Sequence, residues 1–252
     1  MSPRANITLL LASAASLVSS ATTNTNLQTT FPTPSGTTNL PAVRTIAAGA
    51  TLDGGMYQWD RSPSTCHDQA EGGEKDAVFI LEDGATLSNV VIGPNNGEGV
   101  HCKGKCTLNN IWWINVCEDA ATFRQSSGTS YINGGGARDA DDKVLQHNGG
   151  GTVAVKNFYV KNVGKVYRSC GNCKTQYARR STFTNILVEG ASVVAGVNRN
   201  FGDSTSIQNS CLTGGSICWV YEGNNNGKEP TKVASGPTGT ACSAVAVKTS
   251  GC

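Results

Sequence analysis

Short segments of alternating apolar and polar residues recur along most of the chain. Thr107–Ile111 (TLNNI) and Thr182–Ile186 (TFTNI) show the pattern over five residues each. A period of two is typical of a β-strand that buries one face. Glycine-rich stretches, such as residues 134–136 and 149–151, separate the segments and favour turns. The pattern predicts many short strands rather than helices.

The alternating segments repeat at nearly regular intervals. Most copies contain an apolar residue, a spacer, an Asn and a second apolar residue. The Asn residues of six copies are Asn89, Asn110, Asn133, Asn157, Asn185 and Asn209. Steps of about 20–28 residues indicate a solenoid of stacked coils. We therefore predict an all-β, single-domain parallel β-helix in which these Asn side chains stack at a bend and hydrogen-bond to one another. A β-sandwich with chance Asn spacing is the alternative.

Composition agrees with a β-rich protein and narrows its partners. Charged residues make up 15% of the 252 residues, and 30 residues are glycine. Both values disfavour a helix-rich protein, because glycine is a poor helix former. The formal net charge of +2 is too small to indicate nucleic-acid binding. We expect no nucleic-acid partner and a monomer.

The first residues have the features of a secretory signal. A basic start that includes Arg4 precedes a mostly apolar run, Ile7–Val18, and small residues at 19–21. The run is too short to span a bilayer, and no later segment is apolar enough to do so. We predict a signal peptide at residues 1–20, a flexible Thr/Asn-rich segment at 21–30, and a folded domain at 31–252. The protein is thus expected to be secreted and extracellular.

The cysteines support export. There are ten of them: Cys66, Cys102, Cys106, Cys117, Cys170, Cys173, Cys211, Cys218, Cys242 and Cys252. An even number in an exported chain indicates disulfides. A zinc or redox site at Cys170–Cys173 is the alternative, but no second pair of matching spacing accompanies it. The pairing itself cannot be deduced from the sequence.

Charged residues recur about one coil apart, so a solenoid would place them side by side. The acidic members are Glu98, Glu118 and Asp119, and the basic members are Lys143, Lys165 and Arg168. Three carboxylates provide hard oxygen ligands, which suit Ca²⁺ better than Zn²⁺ or a redox metal. Solvated surface carboxylates and exposed salt-bridge partners are the alternative. The adjacent pair Glu118-Asp119 requires a bend, since neighbouring side chains of a straight strand point to opposite faces.

Several motifs resemble a known family. They are residues 53–56 (DGGM), 71–79 (EGGEKDAVF), 98–102 (EGVHC), 113–120 (WINVCEDA), 142–148 (DKVLQHN), 164–168 (GKVYR) and 169–173 (SCGNC). In order and spacing they resemble polysaccharide lyase family 3, the small secreted pectate lyases, over about residues 31–252. The resemblance implies a right-handed parallel β-helix, in agreement with the Asn repeat.

The resemblance also implies roles for individual residues. Glu118 and Asp119 match the family's paired calcium ligands, and Glu98 matches an acidic ligand that is often Asp. Lys143 matches the catalytic lysine. Lys165 and Arg168 match basic residues beside the substrate carboxylates and the cleaved bond.

The expected activity is Ca²⁺-dependent β-elimination of de-esterified polygalacturonate (pectate) of plant cell walls. A basic side chain removes the proton at C5 while charge on the sugar carboxylate is neutralised. Lys143 is the preferred base, and Arg168 is the competing candidate, although its high pKa suits charge stabilisation better.

Two other functions are compatible with a β-helix. A hydrolase of the same polymer would need paired carboxylates, for which Asp141 and Asp142 are the candidates. A non-catalytic wall-binding solenoid would need aromatic platforms, but only one of Trp112 and Trp113 can face outward on a straight strand.

Overall fold

The structure is a computed structural model that describes residues 23–252, so the expected signal peptide at 1–20 lies outside the described residues. The described part contains seventeen strands and two short 3₁₀ turns, Glu74–Asp76 and Arg199–Phe201. The strands are β1 Thr37–Leu40, β2 Arg44–Ile46, β3 Thr51–Arg61, β4 Phe79–Leu81, β5 Ala85–Ile92, β6 Val100–Cys102, β7 Cys106–Trp113, β8 Asp119–Phe123, β9 Thr129–His147, β10 Gly151–Lys156, β11 Tyr159–Ser169, β12 Arg179–Thr184, β13 Leu187–Asn198, β14 Ser204–Thr213, β15 Ser216–Glu222, β16 Thr231–Ser235 and β17 Cys242–Lys248. None of the helices in residues 23–252 is long and apolar enough to cross a membrane.

The strands stack in parallel from coil to coil. Leu108 of β7, for example, is aligned with Leu87 of β5 on one side and with Ile132 of β9 on the other. The long strand β9 turns two corners and contributes to all three faces of the coil, pairing with β10, β11 and β8 along its length. Among the described strands, the pair β15–β16 is antiparallel. The result is a parallel β-solenoid of about eight turns, which confirms the predicted fold.

Apolar residues at equivalent positions of successive coils fill the interior. One such row consists of Leu87, Leu108, Ile132, Val155, Phe183 and Ile207, all of them buried. Because each strand alternates, the same register that buries this row turns the intervening polar residues outward. Each sequence repeat therefore contributes one residue to this row of buried apolar side chains.

The Asn ladder is present as two hydrogen-bonded pairs, which contain four of the six predicted residues. Asn110 Nδ2 donates to Asn89 Oδ1 at 2.9 Å, and Asn185 Nδ2 donates to Asn157 Oδ1 at 2.7 Å. Each of these residues adopts a left-handed backbone conformation that Asn tolerates better than most residues.

Asn133 does not belong to this ladder. It pairs in register with Asn109, to which its Nδ2 donates at 2.9 Å. The ladder position of that coil is occupied by Gly134, with φ of 72°. A Cβ on Gly134 would lie 2.7 Å from Cα of Thr25, so the absence of a side chain lets the N-terminal segment pass.

The described part of the segment expected to be flexible, residues 23–30, runs along the ladder. Asn89 Nδ2 donates to Thr23 Oγ1 at 3.0 Å, and Asn157 Nδ2 donates to the Thr25 carbonyl at 2.8 Å. The segment continues into Phe31, whose ring centroid lies 5.1 Å from that of Trp112. These contacts hold the segment against the coils.

Neither tryptophan of the Trp112-Trp113 pair provides an exposed platform, contrary to the expectation that one would face outward into solvent. Trp113 lies in the core, and Trp112 is covered by Phe31, so each is only 1% exposed. The wall-binding alternative loses the aromatic surface on which it depended.

All ten cysteines form disulfides, as predicted. The pairs are Cys66–Cys117, Cys102–Cys106, Cys170–Cys173, Cys211–Cys252 and Cys218–Cys242. The Cys170–Cys173 motif is thus a disulfide in this structure, and the pair is not part of a zinc site.

Candidate active site

A polar groove of about 550 Å³ runs over the face built by β6, β8, the end of β9, β11 and β13. All six residues singled out in the sequence line it: Glu98, Glu118, Asp119, Lys143, Lys165 and Arg168. The sequence spacing therefore identified one surface, as expected from stacked coils.

The order of residues along this face differs from the expected one. Asp119 is aligned with Lys143, and Lys143 is aligned with Lys165. Arg168, placed one coil from Lys143 by the sequence spacing, is instead aligned with Gln146. The coil is shorter than the 25 residues that separate Lys143 from Arg168: the step from Ala140 to Val163 is 23 residues, and a register shift between Val163 and Lys165 reduces it to 22.

The Lys143 ammonium lies among three carboxylates. Its Nζ is 3.0 Å from Glu118 Oε1, 3.5 Å from Asp119 Oδ1 and 2.7 Å from Asp142 Oδ2. Burial alone would lower the pKa of Lys143, but the three carboxylates outweigh it and raise that pKa above its ordinary value. In this arrangement Lys143 is a protonated cation.

Asp142 joins the two lysines of the groove. One carboxylate oxygen accepts from Lys143, and the other accepts from Lys165 Nζ. Burial alone would raise the pKa of Asp142, but these two charged donors outweigh it and lower that pKa. Asp142 is therefore an ionised bridge rather than a proton donor.

The acidic pair is buried, in contrast to the alternative of solvated carboxylates. Glu118 and Asp119 are 3% and 4% exposed. Burial raises the pKa of both groups, and Glu98 adds to the rise in each case. Glu118 precedes β8 and Asp119 begins it, so strand alternation does not separate the two side chains.

Glu98 is held by two neighbours. Its Oε2 lies 2.9 Å from His101 Nε2, and its Oε1 accepts the Gly72 N–H at 3.1 Å. A Cβ on Gly72 would lie only 2.9 Å from that same oxygen, so the backbone approaches closely because residue 72 has no side chain. This carboxylate is thereby fixed at the edge of the acidic cluster.

The acidic residues fit a hard divalent cation by chemistry and charge. All three candidate ligands offer carboxylate oxygens, and Asp119 Oδ1 is buried with no hydrogen-bond partner. No group of three or more acidic, His or Cys side chains in residues 23–252 is arranged to hold a metal ion, and Lys143 lies against the acidic pair. Calcium ligation by Glu98, Glu118 and Asp119 remains a prediction.

Arg168 has a different environment from the two lysines. Its guanidinium carbon lies 4.1 Å from the ring centroid of Tyr221, and Nη1 donates to the Ser169 carbonyl at 2.6 Å and to Asn198 Oδ1 at 3.3 Å. Burial lowers the pKa of Arg168, although nearby Tyr221, Glu229 and Asp203 oppose the shift. The arginine is held by neutral groups and an aromatic face.

Comparison with known proteins identifies the family. The pectate lyase family model matches residues 28–228. This chain belongs to the pectate lyase family. Pectate lyase E of Emericella nidulans is 50% identical over 212 residues, covering 82% of each chain. Probable pectate lyase E of Neosartorya fischeri is 47% identical over 234 residues, covering 91% of this chain and 92% of the relative.

Solved structures agree with this assignment. Pectate lyase PelI of Erwinia chrysanthemi, in complex with tetragalacturonic acid, is 31% identical with a TM-score of 0.66, covering 84% of this chain and 69% of that one. Its catalytic domain alone is 29% identical with the same TM-score, and 98% of that chain is covered. The chain is an enzyme, a pectate lyase, and the family resemblance inferred from the motifs is confirmed.

Several residues of the pectate lyase groove were not assigned a role from the sequence. They are Glu71, Gln146, Tyr221 and Glu229. Glu71 lies within a family motif, and it raises the pKa of Glu118 further. Tyr221 and Glu229 come from the last coils and carry no local signal. Tyr221 reaches the groove through the stacking of β15 on β13, and Glu229 lies between β15 and β16.

Two histidines of the family motifs, His101 and His147, occupy different places in the fold. His101 lines the groove beside Glu98. His147 is buried in the core, where its ring contacts the Tyr167 hydroxyl at 2.8 Å and the Gly150 carbonyl at 3.0 Å. Burial lowers the pKa of His147 to about 4, so the ring is neutral at physiological pH.

Proposed function

We propose that this pectate lyase is a secreted enzyme that cleaves de-esterified polygalacturonate by Ca²⁺-dependent β-elimination. The observation that carries the proposal is the placement of the acidic pair Glu118-Asp119, Lys143, Lys165 and Arg168 in one groove. The PelI structure, whose ligand is tetragalacturonic acid, supports an acidic sugar polymer as substrate. Secretion is supported by the five disulfides, which are typical of exported proteins.

Glu98, Glu118 and Asp119 are the residues that would hold calcium. The ion, when bound, supplies positive charge that neutralises these carboxylates and the sugar carboxylate. Lys143 contacts Glu118 and lies near Asp119, so neutralising this pair removes two of the three groups that raise its pKa. Calcium dependence and the basicity of Lys143 are thus linked in this proposal.

Each basic side chain has its own part in the elimination. Lys143, once it has released its own proton, accepts the proton from C5, since it is the one amine of the groove bordered by the acidic pair. Lys165, held by Asp142, and Arg168, held over Tyr221, bind substrate carboxylate and stabilise negative charge as the C4–O bond breaks. Arg168 is the second candidate for the base, but a guanidinium gives up its proton far less readily than an ammonium.

The hydrolase alternative is weakened by Asp142. A glycosidase of this type needs one carboxyl group that stays protonated to act as general acid. Asp142 is ionised, with both oxygens engaged by lysines, and its pKa is lowered. Asp142 therefore does not meet the requirement for the acid, and its neighbour Asp141 is exposed and does not line the groove.

The test is the appearance of an unsaturated product. Polygalacturonate is mixed with dialysed enzyme, and ultraviolet absorbance of the C4–C5 double bond is followed with Ca²⁺ and with excess chelator. We expect product only with Ca²⁺, restored when Ca²⁺ is added back. Undiminished product formation in chelator would exclude the calcium role, and new reducing ends without the absorbance would indicate hydrolysis.

A further inference from the structure

The position of Arg168 is set by groups that have no assigned role. The hydrogen bonds of its Nη1 go to a backbone carbonyl and to the Asn198 amide, and no carboxylate of the described residues forms a salt bridge with it. Both hydrogen bonds engage Nη1, so they restrain one end of the guanidinium and make no contact with its faces. A contact with a face would restrain the group further.

The aromatic ring of Tyr221 lies where it can do so. Arg168 is aligned with Gly196 of the next coil. Asn198, two residues after Gly196 on the same strand, is aligned with Tyr221 of the following coil. The Arg168 side chain thus extends along the solenoid axis, over one coil, onto the Tyr221 ring at 4.1 Å.

Gly196 makes this path possible. A Cβ at that position would lie 2.9 Å from Arg168 Cδ and 3.4 Å from Tyr221 Cε2. A side chain on residue 196 would therefore separate the arginine from the ring. The backbone of Gly196 has no left-handed conformation, so space rather than backbone freedom explains the glycine.

Stacking on an aromatic face is an effective restraint in this location. Arg168 and Tyr221 are 8% and 7% exposed, and cation–π attraction is strongest when the groups are shielded from water. The contact between the guanidinium carbon and the ring uses none of the N–H donors, so those not bonded to Ser169 and Asn198 stay available for a carboxylate.

We propose that Tyr221 is a positioning residue that holds the Arg168 guanidinium in the orientation needed to bind substrate. The proposal rests on the function proposed above for Arg168. It assigns the effect to the ring and not to the hydroxyl, because the contact is with the ring face.

Steady-state kinetics on polygalacturonate at saturating Ca²⁺ provide the first test. Tyr221→Phe keeps the ring and should stay within about twofold of the parent kcat/KM, whereas Tyr221→Leu should lose about tenfold, the scale of one cation–π contact. When Arg168→Ala is already present, adding Tyr221→Leu should lower kcat/KM by less than about twofold, because the group that Tyr221 positions is gone. Tyr131→Leu, at an exposed tyrosine outside the groove, is the matched control and should behave like the parent.

A direct readout separates positioning from general packing. The Arg168 Nε–H resonance is identified as the NMR signal that is missing in Arg168→Ala. The nearby Tyr221 ring should shift this resonance. Tyr221→Phe should preserve the shift and Tyr221→Leu should abolish it.

Four outcomes would overturn the inference. An unchanged Arg168 resonance in Tyr221→Leu would show that the ring does not act on the guanidinium. An equal loss from Tyr221→Leu with and without Arg168 would show a structural role. If Tyr221→Leu has parent-like activity while Arg168→Ala is inactive, the role of Tyr221 alone is overturned. If Arg168→Ala itself has parent-like activity, the proposed role of Arg168 is overturned as well.

Discussion

The two basic regions of the groove are held in opposite ways. Lys143 and Lys165 are fixed by carboxylates, and Asp142 is shared between them. Arg168, on the same strand as Lys165, is fixed by an aromatic ring, an amide and a backbone carbonyl. One region is a cluster of ion pairs whose charges depend on one another, and the other is a single cation whose direct contacts are neutral.

This difference has chemical consequences. A lysine surrounded by carboxylates changes its proton affinity when those carboxylates gain another cation, which suits a group that must take up a proton. An arginine that forms no salt bridge within residues 23–252 keeps N–H donors for an anionic substrate, although Glu229 and Asp203 lie near enough to act on its pKa. The comparison predicts that Ca²⁺ and pH affect activity through the lysine region. In the arginine region, activity should instead depend on the steric packing around Arg168.

The largest effect is expected at Lys143. Lys143→Ala should reduce turnover by at least ~10²-fold, the scale of general acid–base catalysis. Lys143→Arg keeps the charge but holds its proton, so it should be nearly as inactive if Lys143 is the base. Turnover is measured by ultraviolet absorbance at saturating substrate and Ca²⁺, with exposed Lys156→Ala as control. Substantial activity of Lys143→Arg would instead make Arg168 the leading base.

The acidic pair should control the response to calcium. Glu118→Gln or Asp119→Asn removes a charge from the proposed site and should raise the Ca²⁺ concentration for half-maximal activity by about tenfold or more. Calorimetric titration with Ca²⁺ checks the same shift without turnover. Tyr221→Leu should leave this Ca²⁺ concentration unchanged, since Tyr221 belongs to the arginine region. If both acidic variants titrate like the parent, these residues are not ligands.

Gly196→Ala should displace the Arg168 side chain by steric contact, without changing any charge. The new methyl group would lie 2.9 Å from Arg168 Cδ, so the side chain must move. We expect a loss of about tenfold in kcat/KM, because small displacements of a positioned group are costly. The Arg168→Ala/Gly196→Ala double variant should be no worse than Arg168→Ala. A parent-like Gly196→Ala enzyme would show that the groove tolerates a displaced Arg168.

The smallest effect on turnover is expected at His147, which lies under the groove in the core. Its pKa is lowered to about 4 from an ordinary value near 6.5, so the folded state binds a proton less readily than the unfolded chain. The stabilisation is therefore full above pH 6.5 and is lost as the pH falls toward 4, by up to ~3 kcal/mol in the free energy of unfolding. Urea unfolding of the parent and of His147→Gln at pH 7 and pH 4.5 measures the difference.

That experiment also sharpens the comparison of regions. The pKa of Asp142 is lowered, so its ion pairs with the two lysines persist through this pH range. If His147→Gln loses as much stability as the parent between the two pH values, the acid sensitivity does not come from the buried ring.

The site residues predicted from the sequence were all brought to one groove, but their mutual order was not predictable. Spacing identified Lys143 and Arg168 as one coil apart, whereas a register shift in β11 aligns Lys143 with Lys165. Likewise, Asn133 matched the repeat but lies one position off the ladder, where Gly134 takes its place. Coil lengths vary with local bulges, and a bulge leaves no clear mark in a single sequence.

The sequence by itself determined the solenoid, the disulfide-rich character and the set of charged residues on the active face. It could do so because alternation and a nearly constant repeat are local properties that every coil must satisfy to bury its own apolar row. The tertiary structure alone decided that Asp142 links two lysines, that Glu118 and Asp119 are buried, and that Tyr221 supports Arg168. Those relations join residues of different coils, and their energies depend on distance and on exclusion of water, which only the stacked coils establish.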